Sequence, residues 1–170
     1  MNKQESILSR ELEDTFENQG PPRAKKLLKE GTRKSNIESG YVLNFFNGKR
    51  WNDVTLKQLT QHYEGDPSAC LLFMSPEAFR YYLPLFLRIC LIDYESADVI
   101  YDTTLWRLVP SKNNLSRKEF DELYSGYDLE KKSLIARILQ HLAQAHIDDY
   151  GEKNDAQIAL DEYWNEYLVH

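Results

Sequence analysis

The sequence predicts a mainly α fold: a single-domain helical bundle around one kinked central helix, with one short strand as an option. Three observations carry this expectation. The stretch 75–91, SPEAFRYYLPLFLRICL, is apolar around most of a helical circumference, and from Ala78 onward only Arg80 and Arg88 are charged. A helix that is apolar nearly all round belongs inside a protein, so more polar helices must wrap it. Apolar residues recur at helical spacing through most of the remaining chain, between cap residues and Gly or Pro breaks. Only one run, Cys70–Met74, offers a short strand, with a buried linker as the alternative, and no second convincing run exists to pair with it.

Length and composition agree. The chain has 170 residues, 42% of them hydrophobic and 12% aromatic. A domain of this size buries roughly 70% of its unfolded surface and needs no disulfide or metal to fold. The expected domain is residues 1–170, with 1–36 a peripheral N-terminal helix and basic segment. Cys70 and Cys90 are the only cysteines and form no metal pair or disulfide framework, which points to reduced core thiols. The N-terminus lacks the apolar run of a signal peptide, and the longest apolar region is too short and interrupted to span a membrane. These features place the protein in the cytoplasm. A net charge of −6 disfavours nucleic acid as the main partner and suits a basic protein.

Taken in order, Ile7, Leu8, Leu12 and Phe16 make an amphipathic helix over about residues 5–18, stopped by Gly20-Pro21-Pro22. Arg23, Lys25, Lys26, Lys29, Arg33 and Lys34 follow, with only Glu30 against them. No glycine-rich or aromatic phosphate cradle accompanies these bases, so they read as a solvated loop or short helix. Ile37, Tyr41, Phe45 and Phe46 give a second helical stripe ending near Gly48, and Trp51 sits in a turn. Thr55 and Gln58 form a capping box for a helix burying Leu56, Leu59 and Tyr63. Gly65-Asp66-Pro67 breaks the chain before the Cys70–Met74 run. Ser75 then caps the central helix, with Pro76 at its first position. Pro84, inside that helix, removes one backbone donor and crowds the carbonyl of Arg80, so a kink is expected there.

Ser96 is the next candidate cap. Ala97, Ile100, Tyr101, Leu105 and Leu108 keep a helical period, with a strand as the runner-up because Val99, Ile100, Thr103 and Thr104 are β-branched. Ser116 and Glu119 form a capping box for a helix burying Phe120, Leu123 and Tyr124. Asp128 caps the clearest amphipathic helix, built on Leu134, Ile135, Ile138, Leu139, Leu142 and Ala145. Asn154 and Gln157 form a last capping box, for a helix with Ala156, Leu160, Trp164, Tyr167 and Leu168 on its apolar side.

Phe45-Phe46-x-Gly48-Lys49-x-Trp51, followed by Met74-Ser75-Pro76-Glu77-Ala78-Phe79-Arg80-Tyr81-Tyr82-Leu83-Pro84, resembles an uncharacterised bacterial family of unknown function. The similarity extends from about Ile37 to Leu168. The resemblance implies a helical domain and brings no activity. Some small families of this kind are similar in composition to immunity proteins, which neutralise antibacterial toxins; that step is analogy between classes.

The search for chemistry gives little. The nucleophile elbow, P-loop and glycine-rich dinucleotide turn are missing from the sequence, and Ser75 reads as a cap. His141 and His146, at i, i+5, miss the spacing that brings two imidazoles to one metal, so no metal or cofactor is expected. The strongest signal is the acidic C-terminal segment: Asp148, Asp149, Glu152, Asp155, Asp161, Glu162 and Glu166, with Lys153 the only base and four aromatic residues interleaved. It reads either as a solvated helix face or as a docking surface that steers a basic partner. The functional expectation is therefore a non-enzymatic protein-binding protein, in concrete form an immunity protein that blocks a basic toxin. The alternative is an enzyme or small-ligand-binding protein with a pocket beside the Pro84 kink.

Overall fold

The computed structural model describes residues 2–17, 20–31, 36–146 and 154–168. Among these residues lie ten α-helices: α1 Lys3–Phe16, α2 Ile37–Phe46, α3 Leu56–His62, α4 Cys70–Phe73, α5 Pro76–Ile92, α6 Tyr94–Ala97, α7 Val99–Leu108, α8 Arg117–Tyr124, α9 Leu129–Ala145 and α10 Asp155–Glu162. Short 3-10 turns occupy Ala24–Lys26, Trp51–Asp53, Pro110–Lys112 and Trp164–Tyr167.

Helix α5 is the axis. From Ala78 to Leu91 every residue except Arg80 is buried. Helices α1, α7 and α9 pack along it, with α4, α6, α8 and the Trp51 turn covering the rest. The Ser75 hydroxyl accepts from the Ala78 N–H at 3.1 Å and donates to the Lys26 carbonyl, so the cap also anchors the preceding basic segment. Helix α5 continues through Pro84. Proline has no N–H to offer the Arg80 carbonyl. The Tyr127 hydroxyl donates to it instead, at 2.8 Å. The Arg80 guanidinium donates to the Leu123 carbonyl at 3.0 Å and passes over Gly126, where an added Cβ would lie 2.4 Å from its Nε. The α8–α9 loop is thus fastened to the proline-bearing turn from both sides.

The same solution closes other helix C-termini, where backbone carbonyls lack intrahelical donors. Trp51 Nε1 reaches the Phe16 carbonyl at the end of α1 at 3.4 Å. The Tyr82 hydroxyl lies 2.8 Å from both the Phe46 and Lys49 carbonyls, and Gly48, at φ +74°, turns the chain so that these two converge. Tyr124 Oη donates to the Arg107 carbonyl at 2.6 Å, and Trp164 Nε1 to the Leu108 carbonyl at 2.9 Å, both at the end of α7. Asn154 caps α10 with its Oδ1, while its Nδ2 donates to the His146 carbonyl at 2.7 Å beyond α9.

Four expectations need correcting. The Cys70–Met74 run is a helical turn, and Met74 makes a single antiparallel bridge to Leu28. It pairs there because the Ser75 N–H donates to the Leu27 carbonyl at 2.9 Å, and the pairing goes no further. Ser96 lies within α6; the break falls at Asp98, whose φ of +47° separates α6 from α7. Helix α7 itself forms as its helical period predicts, and its β-branched residues are accommodated because Thr103 and Thr104 donate their hydroxyls to the carbonyls of Val99 and Ile100 four residues back, at 2.9 and 2.7 Å. The last helix stops at Glu162. Tyr163 leaves the helical region, and the turn after it swings Trp164 into the core. Helix α1 is part of the core rather than peripheral: Leu8, Leu12 and Phe16 are buried against α5 and α9.

Candidate functional site

Helix α7 has two faces. Ile100, Tyr101, Thr104, Leu105 and Leu108 face the core. Val99, Asp102, Thr103 and Trp106 stand on the opposite side at i, i+3, i+4 and i+7, one outward stripe. Two of these are large apolar side chains in water: Val99 is 50% and Trp106 44% exposed. Leu72 of α4, 45% exposed, shares with Trp106, Thr103 and Lys112 the lining of a cavity of about 230 Å³. Burial and the nearby carboxylates of Asp155 and Asp98 together raise the Asp102 pKa above its ordinary value, with Lys112 opposing them. The exposed tryptophan thus shares its stripe with one acid, Asp102.

The structure divides the seven C-terminal acids. Asp148, Asp149 and Glu152 lie outside the described residues. Asp155 and Glu162, seven apart on α10, are both engaged by the Pro110–Lys112 turn. Asp155 pairs with the Lys112 ammonium. Glu162 accepts from the Ser111 N–H and hydroxyl at 2.9 and 2.6 Å. These two acids therefore hold the end of α7 against α10. Asp161 and Glu166 are exposed, and Asp161 accepts from Gln157 Nε2 at 2.8 Å. Helical periodicity picks out the buried face of α7 and passes over the Val99–Trp106 stripe. A tryptophan that falls off that period was the available signal.

The histidines make local contacts. His146 stacks on Tyr94 with ring centroids 3.4 Å apart, and burial, with His141 nearby, lowers its pKa. His141 Nε2 lies 3.8 Å from Glu5. Among the described residues no three His, Cys, Asp or Glu side chains converge as a metal group. None of the helices among them is long and apolar enough to cross a membrane.

The family of unknown function (DUF6714) matches residues 30–168. The chain belongs to that family. No curated protein and no solved structure matches it. Within this DUF6714 chain, the conspicuous sequence blocks have structural work to do. Gly48 shapes the turn that Tyr82 holds, Trp51 closes α1, Ser75 caps α5, and Tyr127 supplies the donor that Pro84 lacks. On the outward stripe of α7, Val99 and Trp106 stay largely exposed.

Proposed function

We propose that this DUF6714 chain is a cytoplasmic protein-binding protein, in concrete form a bacterial immunity protein that neutralises a basic toxin, and that α7 supplies its docking face. One observation carries the reading: Trp106 stands 44% exposed on a stripe with Val99 and the exposed acid Asp102. Tryptophan is the residue most enriched among binding anchors, because it buries a large rigid surface at small entropic cost. Surrounding acids accelerate encounter with a basic surface and reject acidic ones. The exposed C-terminal acids Asp161 and Glu166 add to the negative charge of the chain.

The test begins with a pull-down from the native host, or with the product of a neighbouring toxin reading frame. Trp106→Ala should raise the dissociation rate and weaken binding by about 2 kcal/mol or more while leaving the melting curve unchanged. Asp102→Lys with Asp161→Lys and Glu166→Lys should slow association mainly at low salt, since screening acts over about 8 Å at physiological ionic strength. A partner that binds the Trp106→Ala variant as it binds the wild type refutes the docking face. Capture of no basic protein under either approach refutes the immunity reading.

A further inference from the structure

A second cavity, of about 270 Å³, opens where the basic loop, the first turns of α5, the end of α7 and α8 meet. Its apolar lining includes Met74, Phe79 and Leu123, and its cationic lining is Lys29 and Arg107. The Arg107 guanidinium centre lies 5.6 Å from the centroid of the Phe79 ring, and its Nη1 donates to the neutral amide oxygen of Asn113 at 3.1 Å. Its Nε is buried with no hydrogen-bond partner. Among the described residues no carboxylate forms a salt bridge with it, although two line the same cavity. Glu119 is held by Ser116, whose N–H and hydroxyl donate to one of its oxygens at 2.8 and 2.7 Å. Glu122 lies 3.8 Å from Lys118 on its own helix.

Arg107 thus brings a buried idle donor and no paired carboxylate to an apolar cavity that Lys29 also lines. A buried donor left unpaired is costly, and more so when charged. Burial and then the neighbouring Arg107 lower the Lys29 pKa, while the Glu119 carboxylate opposes them.

We propose that this cavity is a binding site for a small apolar carboxylate, with its anionic end on Arg107 and Lys29 and its body against Met74, Phe79 and Leu123. Guanidinium matches a carboxylate through paired N–H donors, and the apolar walls reward a hydrocarbon tail. The cavity lies just below the range of about 300–1,000 Å³ that holds drug-sized ligands, so the acid is small. The site shares Arg107 with the cavity beside Trp106, but its ligand and its test are independent of a protein partner on the docking face.

The probe is 4-phenylbutyrate, titrated into the full-length chain and followed by calorimetry and by amide chemical shifts. Saturable binding is expected with a dissociation constant near or below about 1 mM, corresponding to about −4 kcal/mol. The amides of Phe79 and Leu123 should shift most. The neutral amide analogue, 4-phenylbutyramide, should bind at least about tenfold more weakly, because it cannot form the charge-assisted pair. Lys29→Met should weaken the acid severalfold, and Arg107→Met should abolish saturation. Equal affinity for acid and amide overturns the proposal using wild-type protein alone, even if Arg107→Met does not fold. So do shifts centred elsewhere, undiminished binding to Lys29→Met and Arg107→Met, or no saturation up to about 10 mM.

Discussion

Replacing Tyr127 with phenylalanine removes one oxygen, the atom that donates to the Arg80 carbonyl at 2.8 Å. The ring should keep its place, edge-on to Phe16 at 5.7 Å between centroids. Burial pushes the Tyr127 hydroxyl pKa far up, so the donor stays protonated at any working pH. Without it the Arg80 carbonyl loses its substitute partner, because residue 84 is proline. A buried carbonyl left unpaired costs about 1–3 kcal/mol. For a chain of this size that lowers the melting temperature by about 2–4 °C per kcal/mol. The decisive comparison is with Pro84→Ala, which returns an N–H to the helix at the position that should bond Arg80. In that background Tyr127→Phe should cost less than about 0.5 kcal/mol, leaving a coupling energy of about 1 kcal/mol or more between the two sites. Urea titration followed by the fluorescence of the buried Trp51 and Trp164 measures all four corners of the cycle. Equal costs in both backgrounds, or no cost in the wild type, would show that Tyr127 does not stand in for the missing donor.

Two further outcomes are expected. Cys70 and Cys90 are fully buried and burial raises both thiol pKa values, that of Cys90 to about 12, so a thiol reagent at pH 8 should label the native protein only as fast as it opens; labelling at the denatured rate in native buffer would contradict the packing of α4 and α5. His146 has a folded pKa below its ordinary 6.5, so below that pH the unfolded chain takes up the proton first and stability falls until the folded pKa is passed. The stability of His146→Phe relative to wild type should therefore rise between pH 7 and about pH 5, and a difference independent of pH would refute the assignment.

Much of the fold was legible because its signals are local. Ser75, Thr55, Ser116 and Asp128 cap helices where the sequence places caps. The length and burial of α5 follow from a surface that is apolar nearly all round. What escaped depends on distant partners. No local pattern marks the positive φ of Asp98, or the turn at Tyr163 that trades helix continuity for burial of Trp164 and a bond to the Leu108 carbonyl. The acidic segment illustrates the same limit: its charges were countable, but only the fold shows that Asp155 and Glu162 are taken up by Lys112 and Ser111. The Lys29–Arg107 cavity was invisible for that reason too, since its two cations come from segments seventy-eight positions apart in a chain of 170 residues.

The closure of helix ends by side chains from elsewhere has a consequence for how the molecule comes apart. A glycine or asparagine C-cap belongs to its own helix and survives when neighbours leave. Here the end of α1 depends on Trp51, that of α2 on Tyr82 in α5, and that of α7 on Tyr124 and Trp164. Loosening any one segment exposes the terminus of another, so partial openings are penalised and unfolding is pushed toward a single cooperative event. Amide hydrogen exchange would record this as a narrow spread of opening free energies across α1, α2, α5 and α7, in place of the graded ladder seen when helices fray independently. An isolated fragment lacking residues 1–29 would lose more than the buried surface of α1: the Trp51 indole would be left without its acceptor.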